Sequence, residues 1–214
     1  MSHLILNMGV FVVLLPLVVA VFRYRNLSGS QRWLVLMLAI VATNQLLAKG
    51  LIYFFHINNL PFFHLYIAVE SFFLLWLFRY ELSWRLKERW LKAGGLIMVG
   101  LVLINGLWVQ PFTEFPSNIR ALESVVIIGL CLLYFYFTLE KLSAVKLEQS
   151  FMFWLSSGLV LYFGGNLMLF IFSNYVGEQE REVFIQIWTI HSVLNIILYT
   201  MYAIALLCRD PHQK

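Results

Sequence analysis

An all-α membrane protein with seven transmembrane helices is the fold this sequence predicts, and three observations predict it. Of 214 residues, 61% are hydrophobic and only 12% charged, more apolar material than the core of a water-soluble domain of this size can absorb. The apolar residues gather into seven stretches, each close to the roughly 20 residues a helix needs to cross hydrocarbon. Lysine and arginine collect on alternate connections, which by the positive-inside rule sets the N-terminus outside and the C-terminus in the cytoplasm.

The expected spans run from Leu4 to Phe22, Trp33 to Phe55, Pro61 to Tyr80, Trp90 to Trp108, Asn118 to Leu139, Phe151 to Phe172 and Val183 to Cys208. The first, LILNMGVFVVLLPLVVAVF, has no basic leader and reads as a retained helix, bent at Pro16. The fourth carries Gly94, Gly95 and Gly100, tolerated in membrane helices where a neighbour approaches closely. Trp33, Trp84, Trp90 and Trp108 fall near proposed ends, where an indole ring suits the headgroup layer.

The connections after spans one, three and five hold Arg23, Arg25 and Arg32, then Arg79, Arg85, Lys87, Arg89 and Lys92, then Lys141 and Lys146. The other connections are HINNLP, PFTEFPSNIR with Arg120 alone, and SNYVGEQERE, where glutamates outnumber Arg181. This pattern places basic residues against the inner membrane face and does not suit nucleic acid. Residues 1–214 read as a single integral domain, a multi-pass protein of the cell membrane with the lipid bilayer as its main partner. Cys131 and Cys208 fall in apolar helices and are expected to pack rather than pair.

Depth along each helix, at about 1.5 Å per residue, locates the polar residues inside the membrane. Lys49 lies in the outer half of span two, with Asn44 and Gln45 near its middle. His64 is near the outer end of span three with Glu70 deeper, and Glu123 and Asn166 occupy the outer thirds of spans five and six. His191 and Asn195 run from the outer half of span seven to its middle, and Asn7 and Asn105 also lie toward the outside. The inner halves hold weaker groups such as Ser156, Ser157, Thr138 and Thr200, which can bond their own helix carbonyls. The asymmetry predicts an outward-facing chamber.

Gln45 and Lys49 are four apart, as are His191 and Asn195, so each pair shares a helix face. His64 and Glu70 are six apart and point about 120° from each other. Buried charges at 49, 70 and 123 must be paired, neutralised or hydrated. Lys49 can pair with Glu70 or Glu123, leaving the second carboxylate to be protonated or to face a ligand, or it can snorkel outward with Glu123 near the outer surface. Gly164 and Gly165 are expected to clear bulk beside the chamber.

The first expectation is a receptor-like or sensory protein that binds a small polar or amphiphilic ligand through Lys49, His64, Glu70, Glu123, Asn166, His191 and Asn195, without a cofactor. Helix shifts would then reach a separate cytoplasmic output protein or a second copy of the chain. The second is an intramembrane lipid hydrolase holding zinc through His64, His191 and a carboxylate, Glu70 or Glu123. A small-solute or proton-coupled transporter, with Glu70 and His191 relaying protons, is the third.

Two resemblances accompany these readings. Seven-helix hydrolases of the alkaline ceramidase and adiponectin-receptor type carry two histidines four apart in their last helix. The segment His191-Ser-Val-Leu-Asn195 is similar in half of that motif, with asparagine in the second place. The phrases LPFFHLYIAVESFF, FWLSSGLVLYFGGNLMLFIF and IWTIHSVLNIILY resemble an uncharacterised group of short bacterial seven-helix proteins. That likeness implies a bacterial inner-membrane location and a topology, and no activity.

Overall fold

The computed structural model describes residues 11–56, 58–83, 86–140, 147–176 and 181–208. Among them it contains seven α-helices and no β-strand: α1 (Leu14–Arg23), α2 (Gly29–Phe55), α3 (Leu60–Leu82), α4 (Glu88–Ile104), α5 (Ser117–Glu140), α6 (Phe151–Val176) and α7 (Arg181–Leu207). Helices α2 to α7 are each long and apolar enough to cross a membrane, six candidate spans in all, as expected of a multi-pass membrane protein. Asn7 and the start of the expected first span lie outside the described residues, as does Trp84.

Local chemistry explains where the helices begin and end. The chain turns at residues 12 and 13 and α1 follows at Leu14, which puts Pro16 in the first helical turn, where its missing amide donor is least felt. Helix α2 starts four residues before the apolar stretch does. Ser28 accepts from the Gln31 amide at 3.2 Å while Gln31 Oε1 accepts from the Ser28 amide at 3.0 Å, a capping box built from polar residues that hydropathy alone does not register. Pro61 stands in the first turn of α3. Helix α4 ends in a π-helical turn, Asn105–Val109, where the Gln110 amide donates to the Asn105 carbonyl at 2.7 Å. Gln110 Nε2 then donates to Ser117 Oγ at 2.8 Å, joining that turn to the start of α5. Asn105 is thus a junction residue.

The most extensive packing is between α6 and α7, α5 and α6, and α3 and α4. Helix α1 packs on α7 as well as on α2, and α3 also meets α5, so α1, α2, α3, α5, α6 and α7 follow one another around the bundle while α4 lies against α3. The ends are tied by side chains. The Arg23 guanidinium donates to the Leu206 carbonyl at 3.4 Å and to that of Leu207, and Gln31 Nε2 donates to the Cys208 carbonyl at 2.9 Å. A cation at the C-terminus of α7 also complements the helix dipole. At the opposite end Asn58 Nδ2 donates to the Thr113 carbonyl at 3.3 Å.

The outward surface is apolar. Leu46, Leu47, Leu96, Ile97, Leu132 and Leu133 are all exposed, a distribution that fits contact with lipid rather than water. Trp90 and Trp108 are exposed near the two ends of the α4 segment. Both cysteines are free thiols.

Two glycines matter for packing. A Cβ on Gly95 would lie 3.6 Å from the Phe72 carbonyl oxygen, so α4 approaches the backbone of α3 there. A Cβ on Gly158 would fall 2.8 Å from Met201 Cβ, an atom that cannot move without its helix. Gly165 faces Leu194 of α7 and Gly164 has nothing within 4 Å, so Gly165 serves helix packing. Replacing Gly158 by valine is expected to weaken the α6–α7 contact by about 1–3 kcal/mol, the usual range for overpacking. Denaturant titration in detergent, followed by circular dichroism, reads this directly.

Candidate functional site

Helix α3 places Tyr66 and Glu70 four residues apart on one face, with Ser71 beside them. Helix α5 begins at Ser117 and brings Arg120 and Glu123 to one face within its first two turns. These two faces meet around a single guanidinium. Arg120 Nη1 donates to Glu70 Oε2 at 2.5 Å and also to Glu123 Oε2, while Nη2 donates to the Tyr162 hydroxyl of α6 at 3.0 Å. The other carboxylate oxygens are occupied too: Tyr66 donates to Glu70 Oε1 at 2.8 Å and Ser71 to Glu123 Oε1 at 2.6 Å. Arg120, Glu70 and Glu123 are only 3%, 2% and 0% exposed.

The cation of this cluster is therefore Arg120, and the expected partner Lys49 is not part of it. Lys49 Nζ sits 4.7 Å from the centre of the Phe11 ring. In the sequence Arg120 closes the connection PFTEFPSNIR, at the start of the fifth apolar stretch. Its spacing of three from Glu123, the i to i+3 distance of a helical ion pair, was the available signal. A cation near a helix N-terminus opposes the helix dipole, and the two carboxylates offset that cost.

A second group of contacts lies between α6 and α7. Asn166 is fully buried, and its Nδ2 donates to the Tyr162 carbonyl at 2.8 Å, which leaves Oδ1 to accept from His191 Nδ1 at 3.0 Å. An amide oxygen cannot donate, so Nδ1 of His191 carries a proton. The imidazole is packed against Trp188, Tyr162 and Phe170, with centroid separations of 5.1, 5.7 and 5.9 Å.

Beside both groups lies a cavity of about 910 Å³. Its wall is drawn from α2, α3, α5, α6, α7 and the 113–115 connection, so it sits toward the end of the bundle where α2 stops and α3, α5 and α7 start. Lys49, Arg120, His191 and Asn195 reach the wall, among aromatic side chains that include Phe63 and Trp188. Gln45 lines it together with Lys49, as their shared helix face implies.

The other expected site residues are not among the lining residues. Glu70, Glu123 and Asn166 stand behind the wall and hold Arg120 and His191. His64 is 2% exposed and turns away, its Nε2 donating to the Glu114 carbonyl at 3.3 Å while its ring meets Phe112 edge-on at 4.8 Å. The expected 120° separation between His64 and Glu70 accounts for their separate engagements.

His64, Glu70 and His191, the residues expected to hold zinc, are thus bound to three different partners. Among the described residues no group of three or more His, Cys, Asp or Glu side chains is placed to hold a metal ion. The arrangement does not fit the zinc site of the hydrolase reading.

No protein-family model matches the chain, and no curated protein or solved structure is significantly similar to it. The chemistry of the site rests on its own residues. Arg120→Met leaves two buried carboxylates without their cation and is expected to destabilise the bundle by about 3–5 kcal/mol. Lys49→Met, away from the cluster, is expected to change stability by no more than about 0.5 kcal/mol. Parallel unfolding titrations of the two variants check the contrast.

Proposed function

We propose that this chain is a receptor-like membrane protein that binds one small amphiphilic molecule in the cavity between α2, α3, α5, α6 and α7. The observation that carries this reading is the cavity itself, about 910 Å³, within the usual range of small-ligand sites. Aromatic side chains supply an apolar wall, and Lys49, Arg120, His191 and Asn195 supply polar points of attachment. The carboxylates and Asn166 behind that wall hold Arg120 and His191 in place before a ligand arrives, which lowers the entropy lost on binding.

In this reading the chain crosses a bacterial inner membrane seven times, with α1 completing the set and the N-terminus outside. Basic residues on the connections after α1, α3 and α5 support that orientation. Occupancy shifts α7 relative to α3 and α5, and a cytoplasmic protein or a second copy of the chain receives the change.

Native mass spectrometry of gently extracted protein tests the binding. One amphiphile per chain is expected, and Asn195→Trp, which fills the cavity from α7, is expected to release it while the helix content stays unchanged. Retention of the same molecule by that variant places it elsewhere on the protein and ends the assignment. For orientation, a reporter enzyme active only in the cytoplasm is expected to work at the C-terminus and to be silent at the N-terminus.

A further inference from the structure

The cluster beside the cavity contains one cation and two carboxylates. With all three ionised it carries one uncompensated negative charge, held by residues no more than 3% exposed. An unpaired charge in an apolar interior is far more expensive than a paired one, so the cluster calls for one further positive charge. The surroundings limit what can supply it. Neither carboxylate is among the lining residues of the cavity, so an ammonium group or metal ion entering there meets Arg120 and Tyr66 first. A proton needs no such space.

The groups facing the cluster are Tyr66 from α3, Tyr162 from α6, and His191, Tyr199 and Tyr202 from α7. Helix α2 presents the neutral amide of Gln45 to Tyr199, and its Lys49 is over Phe11. Phenols are neutral at ordinary pH, and a second cation at His191 would be placed near Arg120. The carboxylates themselves are the remaining sites for a proton. Ser71 and Tyr66, which donate to them, can each turn to accept instead, so a protonated oxygen keeps a partner.

We propose that Glu70 and Glu123 together hold one proton, exchanged with the cavity through the Tyr66 hydroxyl, so that the cluster is a proton-binding site. Tyr66 lines the cavity and its hydroxyl lies 2.8 Å from Glu70 Oε1. On uptake, Tyr66 passes its hydroxyl proton to Glu70 Oε1 while its oxygen takes one from a hydronium ion in the cavity, which is left as water; the phenol ends as it began, and the cluster gains one proton and one positive charge. The proton belongs to the carboxylate pair, since both bond the same guanidinium nitrogen. This inference does not depend on the ligand proposed above.

Infrared spectroscopy of the full chain in lipid nanodiscs, without added ligand, tests it through the stretch of a protonated carboxyl group. The wild type is expected to show one such group per chain at neutral pH, shifting on deuterium exchange. Glu70→Gln and Glu123→Gln each leave one carboxylate for one guanidinium, and each is expected to lose the band while circular dichroism confirms an intact bundle. A wild-type spectrum without the band means that both carboxylates are ionised and overturns the proposal. A band that survives in both folded variants assigns the proton to another group and overturns it equally. Loss of ligand in the mass-spectrometric test leaves either result unaffected.

Discussion

A guanidinium enclosed by apolar helices must be answered from several directions at once, and the answer to Arg120 organises this bundle. Glu70 approaches from α3, Glu123 from its own helix and the Tyr162 hydroxyl from α6. Such ion clusters contribute little net stability compared with apolar packing, because desolvation consumes most of the Coulombic attraction. What they impose is specificity. A rotation of α3 or α5 that separates the charges leaves one buried without compensation, so the relative setting of these helices is narrowly defined.

That setting is passed on to neighbouring parts of the fold. Tyr162 is held by Arg120 through its hydroxyl, and its backbone carbonyl accepts from Asn166, which holds His191 of α7. Four residues on three helices therefore form one polar chain running along the cavity wall. Arg120, Tyr162 and His191 reach that wall, while Glu70, Glu123 and Asn166 stay behind it. The proposed ligand and the proposed proton would act on opposite sides of the same guanidinium. That arrangement gives the two a physical route by which each could alter the other's affinity.

Much of this was legible in the residues. Six apolar stretches correspond to the long helices α2 to α7, because hydrocarbon demands a run of apolar side chains whatever the helix packs against. His191, Asn195, Gln45 and Lys49 line a cavity, each pair set on one helix face by its spacing of four. The ends were less legible, since α2 begins in a polar capping box rather than where hydropathy rises. Gly165, expected to open the chamber, instead admits Leu194, because a missing side chain indicates close approach without identifying the neighbour.

What the sequence determined by itself was the six long apolar helices among the described residues and the polar residues that share a face on each, which follow from the solvent and the helical repeat. Partnership was decided only by the tertiary structure. Lys49 and Arg120 both line the cavity beside the buried carboxylates, and packing set Arg120 against them and Lys49 against Phe11. The same selection separated His64, Glu70 and His191, which a one-dimensional reading could place in a single zinc site. Periodicity states which residues share a face of one helix; only packing states which face of another helix it meets.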